Sequence, residues 1–133
     1  MASFFSKLFG EGANTPATDQ VTQTLAWKDL DSSQGLEALQ EASFERPQLI
    51  FKHSTSCGIS SMVLRKFSYS CKDHQDQITF HLLDLLKNRA LSNEIAQYFG
   101  VVHQSPQMLV VRNGKVTVQA SHYDILQAQI SAR

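Results

Sequence analysis

QLIFKHSTSCGISS, residues 48–61, is the stretch whose reading decides the fold. An apolar run (Leu49, Ile50, Phe51) passes through Lys52 and His53 into polar Ser54-Thr55-Ser56, and Cys57 then opens a new segment with Gly58, Ile59 and Ser60. This is a buried strand handing over to a helix, with a thiol at the junction. The first N–H groups of a helix lack intrahelical partners, and together with the helix dipole they make a positive corner that stabilises an anion. Thiols held in such a corner ionise more readily, and the thiolate is the nucleophile of disulfide exchange. Cys57 is therefore the candidate redox nucleophile.

Bulk properties narrow the alternatives. A chain of 133 residues has room for one domain with a real core. Its 12 basic and 12 acidic residues cancel, so no electrostatic footprint invites nucleic acid or an anionic membrane. The 2 cysteines do not make the framework of a small secreted protein, and a reducing cytoplasmic compartment is expected. Residues 1–24 read as an N-terminal arm and flexible linker. Phe4, Phe5, Leu8 and Phe9 surround a single Lys7, a pattern open to a short amphipathic helix or to docking on the domain, and no stable membrane association is expected. The continuous apolar core of a signal peptide is missing, and EGANTPATDQ (residues 11–20) is small and polar.

Residues 25–133 read as the folded domain. Trp27 and Leu30 pack ahead of a helix over Ser33–Ser43, capped by Asp31 or Ser32, with Leu36 and Leu39 inward. Pro47 stops that helix. Gln48–His53 suits a central parallel strand covered on both faces. A second helix is expected from about Cys57 to Ser70, where Ile59, Val63 and Phe67 share one face. Ile78, Phe80 and Leu82 alternate as a strand over Gln77–Asp84, and Ala90–Phe99 returns to helical spacing, closed by Gly100. Met108–Val111 and Val116–Val118 join through Asn113-Gly114 as a tight hairpin. Ser121 with Asp124 resembles a capping pair, so a last helix is expected over about His122–Ile130. Parallel strands linked by a helix, then an antiparallel hairpin, give an α/β fold: a mixed four- to five-stranded sheet with helices on both faces. That is the thioredoxin-like plan. Ser105-Pro106 falls where such folds carry a cis-proline beside the reactive cysteine, and X-Pro bonds alone adopt cis cheaply.

FKHSTSCGIS (Phe51–Ser60), HQSPQ (His103–Gln107), the Asn113-Gly114-Lys115 hairpin and Ser121-His122 with Ile125 together resemble the YtxJ family, the monothiol bacilliredoxins of the bacillithiol system. The resemblance spans roughly Trp27 to Ile130. It implies that Cys57 exchanges thiols on proteins modified by bacillithiol, with bacillithiol as co-substrate and no tightly bound cofactor. Where the family usually has proline after the cysteine and glutamate before Ser-Pro, this chain has Gly58 and Gln104. Gly58 makes the motif Cys-Gly-Ile-Ser, close to the Cys-Gly-Phe-Ser of monothiol glutaredoxins, some of which carry iron–sulfur clusters. A cluster carrier using Cys57 and an external thiol is thus an alternative, and a non-catalytic thioredoxin-fold binding module is a third reading.

Ser60 decides between one-thiol and two-thiol chemistry, because it occupies the place of the second cysteine in Cys-x-x-Cys and a hydroxyl cannot resolve a mixed disulfide. Along one helix, Cys71 would lie about 21 Å from Cys57 at ~1.5 Å per residue, far beyond the ~7 Å reach of a disulfide. It reads as structural; resolution by Cys71 would need local unfolding or a second molecule. Among site-supporting residues, His53 either stabilises the thiolate as an imidazolium or caps backbone, and His103 either approaches the sulfur or is a hydrogen-bonded loop residue. Thr55 and Ser56 orient the turn as caps, while Ser105 and Pro106 form a substrate-facing loop. Lys52 either attracts an anionic thiol or is simply solvated. No short ligand spacing points to a metal.

Overall fold

The computed structural model describes residues 25–130; the expected arm and linker over residues 1–24 lie outside them. The chain runs β1 (Trp27–Asp29), α1 (Ser33–Ala42), β2 (Gln48–His53), α2 (Gly58–Ser70), a 3-10 turn (Lys72–His74), β3 (Thr79–Asp84), α3 (Arg89–Phe99), β4 (Gln107–Arg112), β5 (Lys115–Ser121) and a closing 3-10 helix (His122–Gln127). The five strands lie in the order β1-β3-β2-β4-β5. β2 is central, parallel to β3 on one side and antiparallel to β4 on the other. β1 has too few residues to show alternation, which is why the sequence reveals Trp27 only as a packing residue; it pairs parallel with β3, Trp27 opposite Phe80.

Local chemistry sets the boundaries. The Ser32 hydroxyl accepts the Gly35 N–H at 3.0 Å and starts α1. Gly100, at φ 68°, ends α3 in the left-handed conformation that glycine adopts without a Cβ penalty. The hairpin turns on Asn113 (φ 51°) and Gly114 (φ 79°), both positive as a two-residue loop requires.

Two apolar layers sandwich the sheet. Phe51, Phe80 and Met108 on one face pack against Val63, Leu64 and Phe67 of α2 and Ile125 of the closing helix. Trp27 lies edge-on to Phe51 and Phe80, and its indole N–H reaches Ser68 at 3.0 Å. On the other face Ile50, Leu83 and Leu109 meet Leu36 and Leu39 of α1 and Leu91 and Ile95 of α3.

Two expectations are corrected. Ile59 does not join Val63 and Phe67 inside; it is 42 % exposed, because in the first turn of α2 it is the next residue, Ser60, that is buried against His53 of β2. The last helix is a 3-10 segment ending at Gln127, and the Ser121 side chain makes no capping bond. His122 enters it at φ 55°, so regular α geometry cannot begin from Ser121.

Gly114→Ala is expected to destabilise the fold by about 1 kcal/mol or more in urea unfolding. The new Cβ would stand 2.9 Å from Gln40 Nε2 and 3.1 Å from Phe44 Cζ, at a positive φ. Adding Gln40→Ala removes the closest contact but neither the Phe44 contact nor the φ, so only part of the loss should return.

Candidate functional site

The site lies along the sheet edge where β2 ends. Cys57 is the N-cap of α2, half-buried, with no side-chain capping bond. Its N–H is held by the Ser54 carbonyl at 3.1 Å, and its own carbonyl accepts the Ser61 N–H at 3.0 Å. The cysteine is thus fixed on both sides by backbone while its sulfur stays at the helix start.

His53 turns to Ser60 rather than to the sulfur. Its Nδ1 lies 2.7 Å from Ser60 Oγ, which also accepts the Ser54 N–H at 3.1 Å. Ser60 Oγ therefore ties the His53 ring to the backbone at the start of the turn, with the direction of the His53–Ser60 bond set by the ring tautomer. Burial lowers the His53 pKa, the Asp84 carboxylate offsetting part of the effect. The imidazolium expectation is replaced by a neutral ring clamping the turn. Ser60 is completely buried.

A second buried cluster holds the loop before Pro106. Lys52 has no exposed surface; its ammonium donates to the Ser92 carbonyl at 3.1 Å and faces His103 Nδ1 at 3.3 Å. The Ser92 hydroxyl lies 3.2 Å from the same nitrogen. Burial brings Lys52 down to about 8, and burial with the charges of Lys52 and Arg89 lowers His103. Lys52 is therefore not a solvated lysine, and His103 is a loop residue bound to the protein. The Ser105–Pro106 peptide is cis. Because Gln107 pairs with Lys52, Pro106 stands one register step further, beside the end of β2.

Thr55 and Ser56 are exposed in the turn, where the Ser56 and Ser54 hydroxyls lie 3.4 Å apart. Neither supplies the α2 cap, since Cys57 occupies that position. Gly58 lies outside the left-handed region and has open space around its Cβ position, and Ser105 is half-buried. Burial pushes the Cys71 thiol up to about 11, and at 4 % exposure it sits in the core at the far end of α2. Sequence reasoning missed Ser54, Ser92 and Asp84. Only the reading of β2 carried a signal for them, since a strand covered on both faces requires partners for any polar side chain it bears. Among the described residues, no cluster of His, Cys, Asp or Glu is placed to hold a metal ion, and no helix is long and apolar enough to cross a membrane.

A central β2 that delivers a cysteine to a helix start beside a cis-proline loop defines a protein of the thioredoxin fold. Solved structures agree: a thioredoxin-fold protein is similar over 85 % of this chain and 94 % of its own, at 24 % identity and a TM-score of 0.69. Thioredoxins of Malassezia sympodialis (15 % identity, 77 % of this chain and 84 % of that one, TM-score 0.63) and Trypanosoma brucei brucei (15 %, 75 % and 81 %, 0.62) share the fold. More particularly, residues 28–130 match the monothiol bacilliredoxin BrxC family, and the chain belongs to that family.

Two predictions test these clusters. Ser60→Ala leaves the Ser54 N–H and His53 Nδ1 unpaired, and should cost about 1–3 kcal/mol in denaturant unfolding. For Lys52, the folded pKa of about 8 lies below the ordinary 10.5, so between them the unfolded chain binds more protons and stability rises with pH. Cys71 acts oppositely, its folded value of about 11 lying above the ordinary 9.0. Subtracting the stability of Lys52→Met from that of the native chain cancels the Cys71 contribution. The difference should grow by roughly 3 kcal/mol across the Lys52 window, at ~1.4 kcal/mol per pH unit; a flat difference would refute the assignment.

Proposed function

We propose that Cys57 is the nucleophile of a monothiol thiol–disulfide exchange protein that acts in the cytoplasm on proteins carrying bacillithiol as a mixed disulfide. The Cys57 thiolate attacks the bacillithiol sulfur. The protein's disulfide bond breaks, its cysteine leaves with the electron pair as a free thiolate, and bacillithiol becomes bonded to Cys57. A second low-molecular-weight thiol then attacks the bacillithiol sulfur and releases Cys57, so the number of disulfides is unchanged at each step and no bound cofactor is required.

The observation that carries this reading is the state of Ser60. One turn along α2 from Cys57, the position from which a second cysteine would resolve the intermediate holds a buried hydroxyl committed to His53 and Ser54. Cys71 cannot substitute, because the unbroken helix Gly58–Ser70 separates it from Cys57 by about 21 Å at ~1.5 Å per residue. Membership of the monothiol bacilliredoxin family supports the same chemistry.

Treatment of the purified chain with oxidised bacillithiol should yield a single mass adduct, absent in Cys57→Ser and retained in Cys71→Ser. An internal disulfide in place of the adduct would bring Cys71 into the mechanism. A brown protein whose visible absorbance disappears in Cys57→Ser would instead favour the cluster carrier.

A further inference from the structure

Residues 101–106 carry the chain from α3 to β4 and bring Pro106 beside the end of β2. Val101 is buried and its N–H donates to the Ala96 carbonyl at 3.0 Å, while the Pro106 carbonyl accepts the His122 N–H at 3.0 Å. Both ends of the segment are thus fastened through backbone. Among the described residues no backbone hydrogen bond engages residues 103–105, and Gln104 is exposed. Unpaired main-chain groups next to a strand end suit an extended peptide, which binds through main-chain hydrogen bonds.

Two side chains hold the middle of the segment. The Gln107 amide donates to the Val102 carbonyl at 2.8 Å. The other is His103, whose Nδ1 lies 3.3 Å from Lys52 Nζ and 3.2 Å from Ser92 Oγ. An ammonium has three hydrogens and no lone pair, so at this contact Lys52 donates and His103 Nδ1 accepts. Lys52 is fully buried and gives a second hydrogen to the Ser92 carbonyl at 3.1 Å. An ammonium out of water needs such acceptors, and a hydrogen bond from a charged donor is about twice as strong as a neutral one. The charges that bear on His103 are those of Lys52 and Arg89, both positive, and no carboxylate offsets them. Loss of the Lys52 proton therefore removes the charge-assisted bond that ties residue 103 to β2.

Resting on the reading of Cys57 as the exchanging sulfur, we propose that Lys52 is a positioning residue for the protein partner: through His103, its ammonium holds residues 103–105 where the main chain of the modified protein lies as its disulfide meets Cys57. Lys52 itself touches neither partner. Its effect is confined to disulfides that bring a peptide chain with them, because a small disulfide has no chain to lay on the loop.

The rate at which the full chain attacks a single-cysteine peptide carrying mercaptoethanol as a mixed disulfide is divided by its rate with hydroxyethyl disulfide. The peptide has blocked ends and no titratable side chain. Both reactions need the Cys57 thiolate and offer it the same sulfur, so the ratio cancels the ionisation of Cys57 and isolates the contribution of the peptide chain. In the native chain the ratio should hold at neutral pH and fall about tenfold through a midpoint near 8, the value to which burial lowers Lys52. In Lys52→Met it should be low at every pH. His103→Ala, on the partly exposed loop, gives a second variant in case Lys52→Met folds poorly, and its ratio should be equally low and flat. His103→Asn, whose amide oxygen takes the place of Nδ1 as acceptor, should restore most of the ratio together with its fall near 8. A ratio independent of pH in the native chain, or equal loss in His103→Ala and His103→Asn, would overturn the proposal. The ring nitrogens of His103, followed by NMR through the ring's carbon-bound hydrogens, should shift through the same midpoint in the native chain and stay still there in Lys52→Met. An unshifted ring overturns the positioning role even if Cys57 exchanges. A shifting ring in a chain that reacts with neither disulfide supports the hold of Lys52 on the loop and refutes only the reading of Cys57.

Discussion

Everything at this site follows from the burial of β2 on both faces. A central strand with a partner on either edge and helices above and below has no solvent side, and all six of its residues are buried. Strand geometry sends consecutive side chains to opposite faces. The last two, Lys52 and His53, are polar, and each must therefore find a partner in the layer it enters. Lys52 shares the face of Ile50 and reaches Ser92 on α3. His53 shares the face of Phe51 and reaches Ser60 on α2. The hydrogen-bonding needs of two adjacent residues thus fasten both flanking helices to the strand end, immediately before the turn that carries Cys57.

These bonds also connect the chemistry to the fold. Ser60 lacks the sulfur of a resolving cysteine, yet its hydroxyl does what a thiol would do poorly: it accepts the Ser54 N–H and hydrogen-bonds His53 Nδ1 at short range. The first turn of α2 is thereby held against β2, and Cys57 is held with it. On the opposite face, Lys52 and Ser92 both point at His103 Nδ1, which fixes the loop leading to Pro106. The sulfur and the loop beside it are positioned by separate networks that share a single strand.

Much of this arrangement was legible in the sequence, and the remainder was hidden for definite reasons. The apolar run Leu49–Phe51, the helical spacing of Val63 and Phe67, and Asn113-Gly114 each express a strong local preference, so β2, α2 and the hairpin can be read directly. Cys57 follows from the strand-to-helix junction. The burial of Lys52 was implied once β2 was read as covered on both faces, but the residue type argued for solvent and obscured it. β1 was hidden because three residues carry no period, and its place beside β3 is a tertiary choice. The partners of His53 and His103 were hidden for another reason: Ser60 and Ser92 lie on helices, in other elements than the histidines they meet, and serine carries little signal of its own. Ile59 misled because apolar spacing gave the inward place in the first turn of α2 to it, whereas the buried contact with β2 is made by the polar Ser60.

Gly58 shows how a departure from the family pattern can be local. It is the first residue of α2, its φ is not positive, and a Cβ there would meet nothing within 4 Å. The fold therefore does not demand glycine, and a proline would suit the position, since the first helical N–H has no partner within the helix and the fixed φ of proline matches the helix entry. The difference between the two residues lies in that N–H. With proline, the helix start offers a sulfur anion one donor fewer; with glycine, the amide next to Cys57 keeps its hydrogen, free of any intrahelical acceptor. The substitution leaves the packing of α2 unchanged and alters the number of backbone donors around Cys57, so its consequence belongs to the sulfur and not to the stability of the helix.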